Sequence, residues 1–258
     1  MLNNPDRKSE LKLATWNLER ARPPRRQALR EHIERIGADI WVFTETNDAM
    51  SQGFCHSVSS APDRDHLVGL DTPADHWVTI ASMHCLKPLS TEDEVRTAAA
   101  RVFPENGAPF VVFGLVLPWN GDNWHRHPSA GGTAFRKALA LQQKDWKRLR
   151  SELPADEFFV MGDFNQDLAS FHYYGSKAKR AALAGALEEC GLVALTAGDR
   201  DPISRKSPRW ACIDHICALR TSKWKAQEAV RWPDAPMPVK CLSDHFGVVV
   251  PFLRDDSG

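Results

Sequence analysis

Short apolar runs alternate with stretches of helical period along most of the chain. Runs of strand length occupy residues 11–16, 39–44, 77–82, 110–117, 158–161, 212–219 and 246–252. Several of them are continuously apolar, which predicts strands buried on both faces of a covered sheet. Between them, residues 24–36 place Leu29, Ile33 and Ile36 on one helical face and end at Gly37, a residue suited to helix termination. A second helix is predicted from Thr133, as its cap, with Phe135, Leu139, Gln142, Trp146 and Leu149 in one stripe and Pro154 beyond its end. Its outer face carries Arg136, Lys137, Lys144, Lys147 and Arg148 and reads as a solvated face. A third helix spans residues 177–190 and stops at Gly191. Strands alternating with helices predict an α/β protein, and the strand-rich stretch 53–117, with little helical pattern, predicts that part of the sheet is antiparallel.

Composition narrows the partners more than the fold. The 258 residues, 43% of them hydrophobic, are enough for a large core, and no linker or low-complexity block divides them. One domain over residues 1–258 is expected, with residues 1–10 as a flexible polar tail. Lys plus Arg and Asp plus Glu both number 33, so any attraction to a polyanion must be local rather than a property of the whole surface. No apolar run approaches the roughly 20 residues of a membrane helix, and the N-terminal residues do not resemble a signal peptide. The six cysteines, at positions 55, 85, 190, 212, 217 and 241, lack the spacing of a disulfide framework or a structural zinc site. They are expected to be buried reduced thiols, and the setting to be cytoplasmic.

Candidate chemistry lies where the apolar runs begin and end. Asn17, Glu45, Asp163, Asn165 and Asp244-His245 sit at such ends, and Asp214 lies within the run 212–219. Ligands of α/β sheets bind outside strand ends. Glu45, Asp163 and Asp244 offer the hard oxygen donors that Mg²⁺ prefers, and a His beside them can stabilise charge developing on a phosphoryl oxygen. Each short motif alone is an ordinary turn former; together they point to metal-assisted phosphoryl chemistry. Strand alternation aims His215 away from Asp214, so His215 is read as a packing or surface residue.

Thr15-Trp16-Asn17-Leu18, Thr44-Glu45-Thr46, Gly162-Asp163-Phe164-Asn165, Ile213-Asp214-His215 and Ser243-Asp244-His245 are similar, in this order, to the motifs of the endonuclease/exonuclease/phosphatase superfamily. That superfamily includes pancreatic deoxyribonuclease, apurinic-site endonucleases, neutral sphingomyelinases and inositol polyphosphate phosphatases, and the resemblance covers most of the chain. It implies a four-layer α/β sandwich of two mixed β-sheets flanked by helices. It also implies that Glu45 is the main metal ligand, with Asn17 and Asp244 on or near the metal or its water shell. Asp163 would orient or deprotonate the attacking water, and Asn165 would hold a phosphoryl oxygen or that water. His245, paired with Asp214, would stabilise the transition-state charge.

One family motif, a Tyr or a His-Leu pair after the strand before the long helix, is replaced here by Pro118-Trp119-Asn120-Gly121. Asn120, or His125 or His127 from the following loop, could supply the missing group. Trp119, Trp124 and Trp210 are expected near the site, where stacking on a base or ring is available to them. Arg209 belongs to a basic loop, residues 198–210, that suits a phosphate-bearing substrate. The expected protein is thus a hydrolase dependent on Mg²⁺, or on Mn²⁺, which shares its ligand preferences. Its expected substrate is a phosphate ester, DNA or RNA first, with no protein partner inferable. The alternatives are a phosphomonoesterase or phosphodiesterase on a small phosphorylated metabolite or lipid head group, and a catalytically inactive binding domain; the intact set of acids and His argues against the last.

Overall fold

The computed structural model describes residues 10–62, 72–119, 121–122, 132–169, 171–233 and 242–254. Its strands are β1 (Glu10–Asn17), β2 (Ile40–Asn47), β3 (His56–Ser59), β4 (Asp75–Ser82), β5 (Cys85–Leu89), β6 (Thr97–Phe103), β7 (Phe110–Val116), β8 (Glu157–Asp163), β9 (Leu192–Ala194), β10 (Asp214–Leu219), β11 (Trp224–Ala226), β12 (Val230–Trp232) and β13 (Gly247–Arg254). Three α-helices among the described residues join them: α1 (Arg26–Ile36), α2 (Thr133–Glu152) and α3 (Lys177–Glu189). One sheet has the order β11-β13-β1-β2-β4-β3, with β12 also on β13; the other has the order β5-β6-β7-β8-β10-β9. Both are mixed. Their parallel pairs are β1 with β2 and β7 with β8, and each is bridged by a crossover carrying a helix, α1 or α2, as parallel neighbours require.

Side-chain alternation turns this order into four layers. In β8, Phe159 and Met161 join Leu13, Val42, Val78, Ile216 and Val250 in the core between the sheets. Phe158 and Val160 point the other way and pack with Phe135, Trp146 and Leu183 of α2 and α3. On the opposite outer face, Trp16, Trp41 and Phe43 pack with Leu29 and Ile33 of α1. The continuously apolar strands are therefore covered on both sides, as their sequences predict. No helix among the described residues is long and apolar enough to cross a membrane.

Several local expectations need correction. Thr133 is the first residue of α2 rather than its cap; Gly132, with φ of 74°, takes the cap position. Residues 212 and 213 precede β10, so Asp214 begins that strand instead of lying inside it. Cys190, Cys212 and Cys217 are buried free thiols, but Cys55 and Cys85 are exposed, because both lie at the margins of short edge strands. Cys241 lies outside the described residues.

Gly162 shows how tightly the sheet holds the end of β8. Its φ is 134°, and a Cβ there would stand 2.1 Å from the Leu115 carbonyl oxygen of the neighbouring strand. Gly185, on the exposed face of α3, has nothing within 4 Å of the same position. Gly162→Ala should therefore destabilise the fold by roughly 3 kcal/mol or more, whereas Gly185→Ala should stabilise it by about 0.5–1 kcal/mol. Urea denaturation of the two variants beside the parent checks both signs.

Candidate active site

The two sheets build one site between them. The first supplies Asn17 at the end of β1, Glu45 on β2 and His245 just before β13; the second supplies Asp163 at the end of β8 and Asp214 at the start of β10. Asp163 and Asp214 face each other in the antiparallel register of β8 and β10. Asn17 joins the halves: its Nδ2 donates to Glu45 Oε1 at 3.0 Å and to Asp163 Oδ2 at 3.2 Å. Its Oδ1 accepts the Glu19 backbone N–H at 2.9 Å, which fixes the nitrogen end of the amide toward the carboxylates.

Backbone conformation aims two of these groups. Glu45 has a left-handed φ of 44°, and the β2–β4 ladder is interrupted there, between the pairs Thr44–Val78 and Thr46–His76. A non-Gly residue in this region costs on the order of 1 kcal/mol, a strain characteristic of functional sites. Asn165, with φ of 47°, reverses the chain after β8. Its backbone N–H donates to Asp163 Oδ1 at 2.8 Å, and its Nδ2 donates to Asp163 Oδ2 at 3.0 Å and to Leu117 O at 2.9 Å. Both side-chain N–H groups are thus engaged, which leaves the Asn165 carbonyl oxygen as the atom free to meet a water.

Charge is crowded at this end of the sandwich. Asp163 is buried, and burial followed by the nearby Asp214 charge raises its carboxyl to about 7; Glu45 adds to the rise, against the opposing pull of His245 and the Asn165 N–H. His245 Nδ1 lies 2.6 Å from Asp214 Oδ2. Burial alone would lower this imidazole, but the charges of Asp214 and Asp163 and the hydrogen bond to Asp214 outweigh it and hold His245 well above the ordinary range. Ligand atoms of Asp163, Asp214 and His245 all lie within 4.8 Å of one another. A protonated His245 is unsuited to coordinate a cation, so this triad reads as a proton and charge relay. The metal donors are better sought among the oxygens of Glu45 and its neighbours. Asp244 is exposed, with its Oδ1 4.0 Å from His245 Nε2.

The outlying candidates are more dispersed. Trp119 is half-buried beside Trp77, with the Arg96 guanidinium over both rings. Arg209 is exposed. Trp210, 46% exposed, packs on Tyr173 at 5.8 Å and on Phe246, next to His245, at 6.0 Å between ring centroids. Asn120, Trp124, His125 and His127 lie outside the described residues. His215 is buried between Thr196 and the Gln166 carbonyl, the packing alternative expected for it.

Tyr174 was not anticipated from sequence. Asp167 accepts the backbone N–H groups of Tyr173 and Tyr174 at 3.1 and 2.7 Å, and Gln166 donates to the Tyr174 carbonyl at 3.0 Å. Burial, then the charges of Asp163 and Asp244, push the Tyr174 phenol up to about 12, so it stands within electrostatic reach of the acids with its proton in place. The available signal was that the chain's two tyrosines are adjacent and closely follow Asn165.

The model of the Endonuclease/Exonuclease/phosphatase family matches residues 14–245 of this chain. Among curated proteins, GPI inositol-deacylase of Aspergillus terreus is 30% identical over 107 residues, which span 42% of this chain and only 8% of that protein's length. Among solved structures, an AP endonuclease from Archaeoglobus fulgidus is similar with a TM-score of 0.62 and 17% identity, covering 94% of this chain and 99% of that one. A mannosyl-6-phosphatase from Bacteroides thetaiotaomicron matches with a TM-score of 0.62 and 16% identity over the same shares of the two chains. At such identities the likeness is one of fold.

The displaced Asp163 carboxyl has a consequence for stability. Its folded value of about 7 stands above the ordinary 3.8, so folding favours the protonated form. That contribution is complete below about pH 4 and is lost as the pH rises through 7. In EDTA, the melting temperature of Asp163→Asn minus that of the parent should therefore be more positive at about pH 8 than at about pH 5, by about 3 °C or more. Hydrogen bonds lost in the variant at both pH values cancel in this comparison, and equal differences would show an ordinary, ionised carboxylate.

Proposed function

This chain belongs to the endonuclease/exonuclease/phosphatase family and is a phosphoester hydrolase, and from that premise we propose that it is a Mg²⁺-dependent phosphodiesterase whose substrate is nucleic acid. The observation that carries the catalytic reading is the convergence of Glu45, Asp163 and Asp214 with the His245–Asp214 hydrogen bond of 2.6 Å. The donor set fits a hard divalent cation. It consists of oxygens, the burial and neighbouring carboxylate charges that raise the Asp163 carboxyl are what a bound cation would offset, and the buried Asp214 Oδ1 has no hydrogen-bond partner. Glu45 would be the main ligand, with Asn17 and Asp244 beside it. When bound, the cation would supply Lewis-acid stabilisation of a phosphoryl oxygen.

The chain's own residues divide the remaining work. Asp163, ionised, accepts a proton from the attacking water while the Asn165 carbonyl oxygen orients it. The water oxygen forms the new P–O bond as the ester P–O bond opposite it breaks, and the leaving oxygen is protonated from solvent. His245, kept protonated by Asp214, donates a hydrogen bond where charge grows on a non-bridging oxygen.

Nucleic acid is favoured among phosphate esters by the exposed Trp210, which is backed by Tyr173 and Phe246 next to His245. A flat ring beside a phosphate centre suits a base adjacent to the scissile phosphate. Arg209 precedes it in the same loop. The equal numbers of acidic and basic residues give no general pull on a polymer, so a small phosphorylated metabolite is the competing substrate.

A time course with Mg²⁺ on labelled DNA and RNA, run beside Asp163→Ala and an EDTA control, tests this reading. Cleavage by the parent that vanishes in both controls is expected. Intact nucleic acid together with phosphate release from small esters would replace it with the metabolite reading. On a cleaved nucleic acid, Trp210→Ala should raise KM by about tenfold and Arg209→Ala by less, with kcat changed little in either. Unchanged KM values would remove this loop from the binding surface.

A further inference from the structure

Three consecutive residues after Asn17 are left-handed without being glycine: Glu19, Arg20 and Ala21, with φ of 46°, 66° and 40°. Such a run is sterically disfavoured for L-residues and persists only where its surroundings hold it. It also matters to the site, because the Glu19 N–H is the group that fixes the Asn17 amide. Arg26 Nε donates to the Ala21 carbonyl oxygen at 2.7 Å, and the other side chain that holds this turn is Arg25. Its Nη2 donates to the Glu19 carbonyl oxygen at 2.8 Å, and its Nη1 donates to Glu19 Oε2 at 2.5 Å and to the Leu242 carbonyl oxygen at 2.9 Å.

The bond to Leu242 extends the hold to the other end of the site. Leu242 precedes Ser243, whose Oγ donates to the Asn17 carbonyl oxygen at 2.6 Å and accepts the His245 N–H at 3.1 Å. The Trp16 indole N–H then donates to the His245 carbonyl oxygen at 3.1 Å. One guanidinium fork therefore ties the loop that follows β1 to the loop that enters β13, and these loops carry Asn17 and His245. The planar fork suits this task, since it directs several N–H groups at fixed angles where an ammonium offers a single point of attachment.

We propose that Arg25 is a positioning residue for the hydrolysis, setting the Asn17 amide and His245 through the Glu19–Ala21 turn and Ser243 without touching substrate. The proposal rests on the phosphodiesterase reading for its kinetic arm only. In that arm, Arg25→Ala should lower kcat by about 10–100-fold, as loss of an outer hydrogen-bonding partner does, with KM within about twofold of the parent. Guanidinium chloride, far below denaturing concentrations, should restore part of the lost kcat, and Arg25→Lys should be impaired without being rescued. Should Arg25→Ala not fold, Arg25→Lys decides by the same split between kcat and KM. An unchanged kcat in the variant tested, or a loss in Arg25→Ala that guanidinium does not rescue, would overturn the proposal.

A second arm needs no substrate. Mn²⁺ titrated into the parent and the folded variant, followed by electron paramagnetic resonance, should bind the variant more weakly by about 10-fold or more, because Asn17 would no longer hold Glu45 in place. If the parent cleaves no phosphate ester, the proposed function fails by itself and this titration decides the case of Arg25, with equal Mn²⁺ affinities overturning it.

Discussion

Asp163 is a fully buried carboxyl group with a second carboxyl, Asp214, opposite it in register and a third, Glu45, reached through one shared amide. Ionising such a buried group is costly unless positive charge or hydrogen-bond donors surround it. Much of the local design answers this constraint. Asn17 and Asn165 aim N–H groups at Asp163, and His245 brings a proton that Asp214 keeps in place. Two sheets are needed because no single strand end could supply donors from both sides of one carboxylate. The packed layer between the sheets, from Leu13 and Val42 to Met161 and Ile216, sets the spacing of the groups at its edge.

Strain is concentrated at the same edge. Glu19, Arg20, Ala21, Glu45 and Asn165 are the described non-Gly residues with positive φ, and each lies in or beside the site. At about 1 kcal/mol apiece, these conformations take up a sizeable part of a typical net stability. They are tolerated because Glu45 sits at a break in the β2–β4 ladder, the others closely follow strand ends, and ordered contacts hold them: the Arg25 and Arg26 guanidinium groups behind the first three, the Leu117 carbonyl behind Asn165. A sheet that simply continued would point alternate side chains to opposite faces. Left-handed kinks at the strand ends let neighbouring residues converge on one point.

The sequence is legible where one residue's chemistry and one strand's pattern suffice. Glu45, Asp163 and His245 are each marked by an apolar run that ends or begins beside them, Asp214 lies within such a run, and the buried strands are marked by their unbroken hydrophobicity. Arg25 could not be found in this way. Among Arg22, Arg25 and Arg26 nothing in the chain distinguishes the one that reaches Leu242, 217 positions away. Tyr174 was hidden for the same reason, since its place depends on Asp167 folding the loop back. The helix cap at Gly132 rather than Thr133 reflects a near-equal local preference that the tertiary setting resolves. Cys55 and Cys85 defied their usual burial because one precedes and the other opens a short strand at a sheet edge.

The proton count of the site connects these observations to catalysis. As it stands, the cluster can relieve its crowding by keeping a proton on Asp163, and a protonated Asp163 cannot take one from water. His245 supplies one positive charge, but it is shared with Asp214, whose Oδ2 it bonds. Burial and the neighbouring carboxylate charges together raise the Asp163 carboxyl by more than His245 and the Asn165 N–H offset. A cation held by Glu45 would lower that carboxyl toward its ordinary range and leave Asp163 able to accept a proton. In the proposed reaction the electrostatic crowding around Asp163 would thus tie water activation to cation binding, with the two asparagines keeping the carboxyl aligned as its protonation changes.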